Sequence, residues 1–268
     1  WLLLLLAAPP PELLFGERYL YFSSFSPELL AHARSNALEM IDRARLGRKS
    51  LVVEIAANDG YLLRNFVERG IPALGIEPAP AQAEAARRAG IPVLQEFFGA
   101  ELAERLAAEG RRADVLFASN VLAHVPDTRG FTAGIARLLA PGGTAVIEVP
   151  YVRDLVEQCA FDTIYHEHQC YFSVTALAAL FEAHGLVLQD LRRIPIHGGS
   201  LRLYLGRGGE PGRAVRELLA EERRMGLERL GYYAGFADRV EGLCAALRAL
   251  LERLKAAGNR IAANGAAA

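Results

Sequence analysis

The chain has 268 residues, 52% of them apolar and 23% charged, and at that size a folded chain hides about 70–75% of its unfolded surface, which excludes disorder. Thirty Lys and Arg against 31 Asp and Glu leave a net charge of −1, and the absence of a basic stripe argues against a nucleic-acid partner. Cys159, Cys170 and Cys244 show no C-x-x-C spacing, are too few for a four-cysteine zinc site, and fit a reducing, cytoplasmic compartment with no metal.

Residues 1–8 carry five leucines in a row, closed by three prolines. The run is too short to span a bilayer and lacks a signal peptide's charged flank, so it is expected as a buried or linker segment without a membrane partner. A first residue other than Met suggests a chain that begins partway through a longer protein. Ser26 and Pro27 read as N-cap and first helical residue. Leu29, Leu30, Ala33, Ala37 and Ile41 then keep one apolar face toward Gly47, which makes residues 1–46 an entry or lid segment with one helix.

From residue 51 short apolar runs at 51–55, 73–77, 92–95, 114–119, 144–149, 186–194 and 201–206 each end in a polar or Gly-rich loop, the pattern of seven strands. The first five alternate with helix-length stretches, as parallel βαβ units do, and the last two are joined only by residues 195–200 and form an antiparallel pair. The expected fold is α/β, a doubly wound seven-stranded Rossmann-like sheet over 47–208. Residues 209–268 turn helical. Phe236, Val240, Leu243, Leu247, Leu250 and Leu254 recur at steps of three and four, a face expected to pack on the protein itself, since a coiled coil needs a longer run. Residues 261–268 read as the start of a further strand and Gly-rich turn.

Open α/β sheets bind ligands at the carboxyl ends of their strands, beside the point where strand order reverses. The first strand ends in Glu54-Ile55-Ala56-Ala57-Asn58-Asp59-Gly60. A dinucleotide fingerprint wants glycine at relative positions 1, 3 and 6, and Tyr61 at the last opposes close helix–strand packing, so a nicotinamide oxidoreductase ranks last. A methyltransferase turn has glycines at 1, 3 and 5, and Gly60 holds the fifth. Glu77 closes the second strand, where an acidic residue can accept hydrogen bonds from both ribose hydroxyls. These two features alone leave a cofactor site and a solvated strand edge equally open.

The runs EIAANDGYLL at 54–63, GIEP at 75–78, ASNVLAHVPD at 118–127, LLAPGGTAVIEVPY at 138–151, FDTIYHEHQCYFS at 161–173 and IHGGSLRLYLGR at 196–207 narrow the choice. Together they resemble the family of S-adenosylmethionine-dependent C-methyltransferases acting on nucleotide-linked keto-deoxysugars. FGERYLYFSS at 15–24 is similar to that family's entry segment, and 161–173 is the most specific stretch. The resemblance implies S-adenosylmethionine as cofactor, lined by Glu54, Ala56, Asn58, Gly60, Glu77, Pro78, Phe97 and Asn120, and a nucleotide-linked keto-sugar as substrate.

Methyl transfer to carbon beside a ketone needs a base for the α proton, a stabiliser for the oxyanion, and alignment with the methyl donor. By resemblance His168 is the base, Glu167 and Tyr165 position the substrate or its enolate, and His124 and His197 face the sugar. His166 falls at a variable position and reads as a solvated loop residue. Tyr19 and Tyr21 read as apolar anchors of the entry segment, while the resemblance makes Tyr21 an active-site hydroxyl. His184, just before Gly185, is expected to sit at a helix C-terminus. Two alternatives remain: transfer to oxygen or nitrogen on the same fold, and a non-catalytic cofactor-binding or assembly module. Relatives in this family carry a Cys-rich zinc module in front and a second Rossmann-like domain behind. The expectation is therefore one methyltransferase domain with an entry helix and the helical start of a C-terminal domain.

Overall fold

The computed structural model describes the backbone of residues 2–4 and all of residues 9–262. Most of the expected strand at 261–268, and residues 1 and 5–8 of the leucine-rich start, lie outside them. The described chain opens with β1 (Leu2–Leu4), a short helix α1 (Pro11–Leu14), a 3-10 turn (Ser23–Phe25) and α2 (Pro27–Arg43). Ser26 caps α2 as expected, its hydroxyl accepting the Leu29 N–H. Leu29, Ala33, Ala37 and Met40 form the buried face of α2, and the two alanines let the helix lie close to the sheet.

Next come β2 (Val52–Ile55), α3 (Arg64–Val67), β3 (Ala73–Ile76), α4 (Pro80–Arg88), β4 (Val93–Leu94), α5 (Ala100–Ala108), β5 (Ala113–Ser119), α6 (Thr128–Leu138) and β6 (Leu139–Pro150). After them follow α7 (Val152–Gln158), β7 (Cys170–Phe172), α8 (Val174–Glu182), β8 (Val187–Ile194), β9 (Ser200–Gly206), α9 (Arg213–Met225), α10 (Leu230–Tyr233) and α11 (Phe236–Ala256). His184 lies just past α8 and precedes a left-handed Gly185, as expected.

The seven expected strands make one sheet in the order β4-β3-β2-β5-β6-β9-β8. β2 is parallel to both β3 and β5, so strand order reverses between β2 and β5, where the chain leaves a crevice at the carboxyl ends. The closing hairpin does not simply add to the edge: β9 inserts between β6 and β8, antiparallel to both. The sequence also hides a second sheet, the antiparallel ribbon of β1 with β7.

Central strands buried on both faces need apolar side chains on both. Val53, Ile55, Leu116, Ala118, Ile147 and Leu203 face a core closed by α5, α6, α8 and α9. Val52, Val115, Phe117, Val146 and Tyr204 face α2 and α3 on the other side. Glu222 of α9 is buried and ties three elements together: its carboxylate accepts the Tyr151 hydroxyl at 2.8 Å, the Val174 N–H at 2.7 Å and both the N–H and hydroxyl of Thr175.

One expectation fails. The apolar face of α11 does not pack on the body: the helix has no buried residue, and Leu247 is 54% exposed. Among the described residues its first turn is held, by Phe236 against Val152, Leu155 and Val156 and by Arg239 donating to the Val156 carbonyl. Beyond that turn Leu243, Leu250 and Leu254 are likewise exposed.

Candidate active site

Beyond β2 the chain enters a loop in which Ala56, Asn58 and Gly60 all have positive φ, +55°, +49° and +78°. These are the three alternate positions at which glycine is expected. At Gly60 a side chain is also sterically barred, because a Cβ there would run into Ile91 Cδ1. Asn is the L-residue that best tolerates the left-handed region, whereas Ala has no such excuse.

Four carboxylates crowd around this loop. Glu54 is fully buried and neither carboxylate oxygen has a hydrogen-bond partner. Burial and the neighbouring Glu77, Asp59 and Glu148 push its carboxyl well above the usual range. Glu77 is likewise raised by burial, opposed by the backbone N–H groups of Ala79 and Asn58, each donating to it at 2.8 Å. Asp59 Oδ1 is also buried and unpartnered. At the end of β5, Asn120 adopts φ +56° and donates its N–H to the Glu148 carbonyl at 2.8 Å, with its own Oδ1 buried and unpaired.

A cluster of rings lies along the same edge. His124 and His168 meet edge-on with centroids 4.8 Å apart, and Tyr165 tilts against His168 at 4.5 Å. His168 Nδ1 lies 3.0 Å from the Thr163 carbonyl, which can only accept, so Nδ1 carries the proton and Nε2 keeps its lone pair. The Tyr165 hydroxyl donates to that lone pair at 3.3 Å. Burial lowers His168 below the usual imidazole range. Burial and the adjacent His168 drive His124 down to about 4, and its Nδ1 is buried without a partner. Both imidazoles are therefore neutral at pH 7. Glu167 is pushed up by burial against the opposing pull of His166, which is exposed at 4.0 Å.

The entry segment supplies the remaining wall. Phe15 packs edge-on against His124 at 5.6 Å and against Tyr19 at 5.1 Å. Tyr19 is raised by burial and by the nearby Glu167 and Glu77. Tyr21 is 50% exposed and lies near Asp59, and both tyrosines are close enough to Tyr165 to interact with it electrostatically. His197, at φ +50° in the β8–β9 turn, is close enough to His168 to interact with it electrostatically. Among the described residues no group of three His, Cys, Asp or Glu is arranged to hold a metal ion, and no helix is long and apolar enough to cross a membrane.

Comparison with known proteins turns this geometry into a family. The model of the methyltransferase domain family matches residues 24–191. The chain belongs to the methyltransferase family. The donor these methyltransferases use is S-adenosylmethionine. Residues 195–268 match a C-methyltransferase C-terminal domain. The methyltransferase is 36% identical to the C-methyltransferase NovU of Streptomyces niveus over 99% of its own length, and spans 64% of the length of that relative. It is 26% identical to a ubiquinone biosynthesis O-methyltransferase of a Methylobacterium species, over 74% of this chain and 84% of that one. A solved magnesium protoporphyrin IX methyltransferase from Synechocystis, crystallised with S-adenosylhomocysteine, shares the fold at TM-score 0.53 and 13% identity, covering 67% of this chain and 83% of that one.

The crevice of the methyltransferase fits this cofactor. S-adenosylmethionine carries a positive sulfonium and an ammonium, and the unpartnered Glu54 and Asp59 oxygens, with Glu77 beside them, offer acceptors whose ionised form a bound cation would favour. Glu77 keeps lone pairs beyond its two backbone bonds, which suits ribose hydroxyls. Pro78 leads into α4, and Phe97 is 43% exposed, with its ring surface open to a stacking partner. The fold thus brings Glu54, Ala56, Asn58, Gly60, Glu77 and Asn120 together at the strand reversal, and His124, Tyr165, Glu167, His168 and His197 at the adjoining ring cluster. Sequence reasoning missed Phe15, Ser23, Ser24, Asp59 and Gln82, which join the entry segment to the crevice. The signal for Asp59 was its place between Asn58 and Gly60, and Phe15, Ser23 and Ser24 lie in the entry run at 15–24, whereas Gln82 carries none that a single sequence offers.

Proposed function

We propose that the protein is a C-methyltransferase that removes the α proton beside the ketone of a nucleotide-linked keto-deoxysugar and methylates the resulting enolate. The observation that carries this reading is His168, a neutral imidazole with its Nδ1–H fixed on Thr163 and its Nε2 lone pair met only by the Tyr165 hydroxyl, which releases it on turning to the enolate oxygen. His168 Nε2 takes the α proton, and the C–H electron pair becomes the enolate. Tyr165, a phenol pushed up to about 12, keeps its proton and can donate to the enolate oxygen, and Glu167, a carboxyl raised by burial, positions the substrate beside it. His124, neutral and with Nδ1 unpaired, and His197 face the sugar, and Tyr19 or Tyr21 closes over it. When bound, S-adenosylmethionine supplies a methyl on a cationic sulfur that departs neutral. The α proton passes from His168 to solvent.

The likeness to NovU and to the C-methyltransferase C-terminal domain supports transfer to carbon, and the three free thiols support a reducing cytoplasmic setting. In deuterated buffer the enzyme exchanges the sugar's α proton, and His168→Ala abolishes both exchange and methylation. Because His168 lies below the usual imidazole range, the acid limb of kcat/KM falls below about pH 6.5. Full exchange activity in His168→Ala removes it from the base role, and a product whose sugar carbons keep every hydrogen turns the reading toward oxygen or nitrogen transfer.

A further inference from the structure

The stretch from Tyr19 to Ser24 straps the entry segment across the crevice, yet it is held by its backbone and by other elements' side chains. Gln82 of α4, with no exposed surface, donates from Nε2 to the carbonyls of Tyr19 at 3.0 Å and Tyr21 at 3.1 Å. Asn58 donates from Nδ2 to the Tyr21 carbonyl at 3.1 Å and accepts the Ser23 N–H on Oδ1 at 2.9 Å. Asp59 Oδ2 accepts the Ser24 N–H at 3.1 Å. All five bonds run from cofactor-side side chains to strap backbone. Asn58 Oδ1 also takes the Asp59 N–H at 3.0 Å, so both its lone pairs are used, and its backbone N–H is spent on Glu77.

We infer that Asn58 and Gln82 are positioning residues that seat Tyr19 and Tyr21 over the substrate side of the crevice, making the ordering of loop 56–60 and of the strap a single event. This reassigns the Asn58 carboxamide: it serves the strap, and the cofactor pocket takes only the shape of its backbone. Gln82 and Asn58 each make two of the five bonds, and Gln82 holds the carbonyls on either side of Leu20, which is 80% exposed. By linkage, a ligand that orders the loop tightens whatever binds under the strap, and the reverse holds by the same factor. The identity of the two ligands rests on the function proposed above, whereas the coupling does not.

Amide hydrogen exchange across residues 19–26 of the full chain, with S-adenosylhomocysteine as probe, tests this. The probe slows exchange at Ser23 and Ser24 in the unaltered protein. In Gln82→Met, exchange there rises about tenfold, the loss of two net hydrogen bonds, and the response to the probe disappears. Probe affinity by calorimetry stays within about threefold, because no cofactor contact is removed. In Asn58→Gly, which keeps the left-handed backbone, strap exchange rises as well, and Gln82→Glu, lacking a donor when ionised, fails to rescue. Unchanged strap protection in both Gln82→Met and Asn58→Gly overturns the inference, as does a rise in exchange shared equally by β5 and β6. If the probe does not bind the unaltered protein, the methyltransferase reading fails, while faster strap exchange in Gln82→Met without ligand still supports the seat.

Discussion

Ala56 is the residue at which this chain most openly departs from what its backbone asks. At φ +55° an L-residue other than Asn or Gly costs about 1–2 kcal/mol. Ala56→Gly is therefore expected to stabilise the protein by about 0.5–1 kcal/mol, after the added entropy of a glycine in the unfolded chain. Urea denaturation checks this, and a drop in midpoint would mean the strain is not there. The neighbouring positions were more legible. Asn58, Gly60 and Asn120 are residue types that accept positive φ, so their places at strand ends could be read as turns from the sequence alone. What could not be read is where their side chains point: the Asn58 carboxamide meets Ser23 and Tyr21, 35 and 37 residues away, and no local pattern encodes such a meeting.

At the scale of elements, α2 is locked to the sheet by a buried polar network as well as by its alanines. Glu148 on β6 is 1% exposed and receives Arg202 Nε from β9 at 2.6 Å, while His32 Nε2 of α2 lies 2.9 Å from its second oxygen. Glu39 of α2 is drawn in by the Tyr204 hydroxyl at 3.1 Å and by Arg192 at 2.8 Å. Burial alone would raise the Glu148 carboxyl, but His32 and Arg202 hold it below its ordinary value. A depressed folded-state pKa contributes stability that is complete above the unfolded value near 4.5 and lost as pH falls through the folded one. Arg202→Met leaves the carboxylate short of its partner and is expected to cost about 3 kcal/mol at pH 7, with a smaller deficit at a pH low enough to protonate Glu148 in both proteins. Equal losses at both pH values would show that packing, not charge, is what Arg202 supplies. The helix itself was legible from Ser26-Pro27 and its apolar spacing. Its polar lock was not, because His32, Glu148 and Arg202 read singly as surface residues.

Across the whole molecule, order is unevenly distributed. The sheet and its two helical layers form continuous cores, while α11 leaves the body after its first turn with Leu243, Leu247 and Leu250 at 47%, 54% and 43% exposure. Such a helix is held by its own hydrogen bonds alone. Backbone amides of residues 243–256 are expected to exchange at least about 100-fold faster than those of β5 and β6 in the same sample. Comparable protection would show that the leucine face is covered in solution. The heptad spacing made the helix legible, but spacing cannot say which surface, if any, meets it. The sheet was legible for the opposite reason: seven apolar runs separated by turn residues allow few arrangements once right-handed crossovers are required.

The insertion of β9 between β6 and β8 also sets a clock on the ribosome. Until Ser200–Gly206 emerges, the long edge of β6 has unpaired amides and carbonyls and the residues Val146, Ile147 and Val149 beside them. The roughly fifty residues from Pro150 to Ser200 take about 3–10 s to synthesise at about 5–20 residues per second. For that interval the nascent chain presents an unpaired apolar strand of its core to its surroundings. Slow codons placed between β6 and β9 would lengthen the exposure, and aggregation during synthesis would rise without any change in the finished protein.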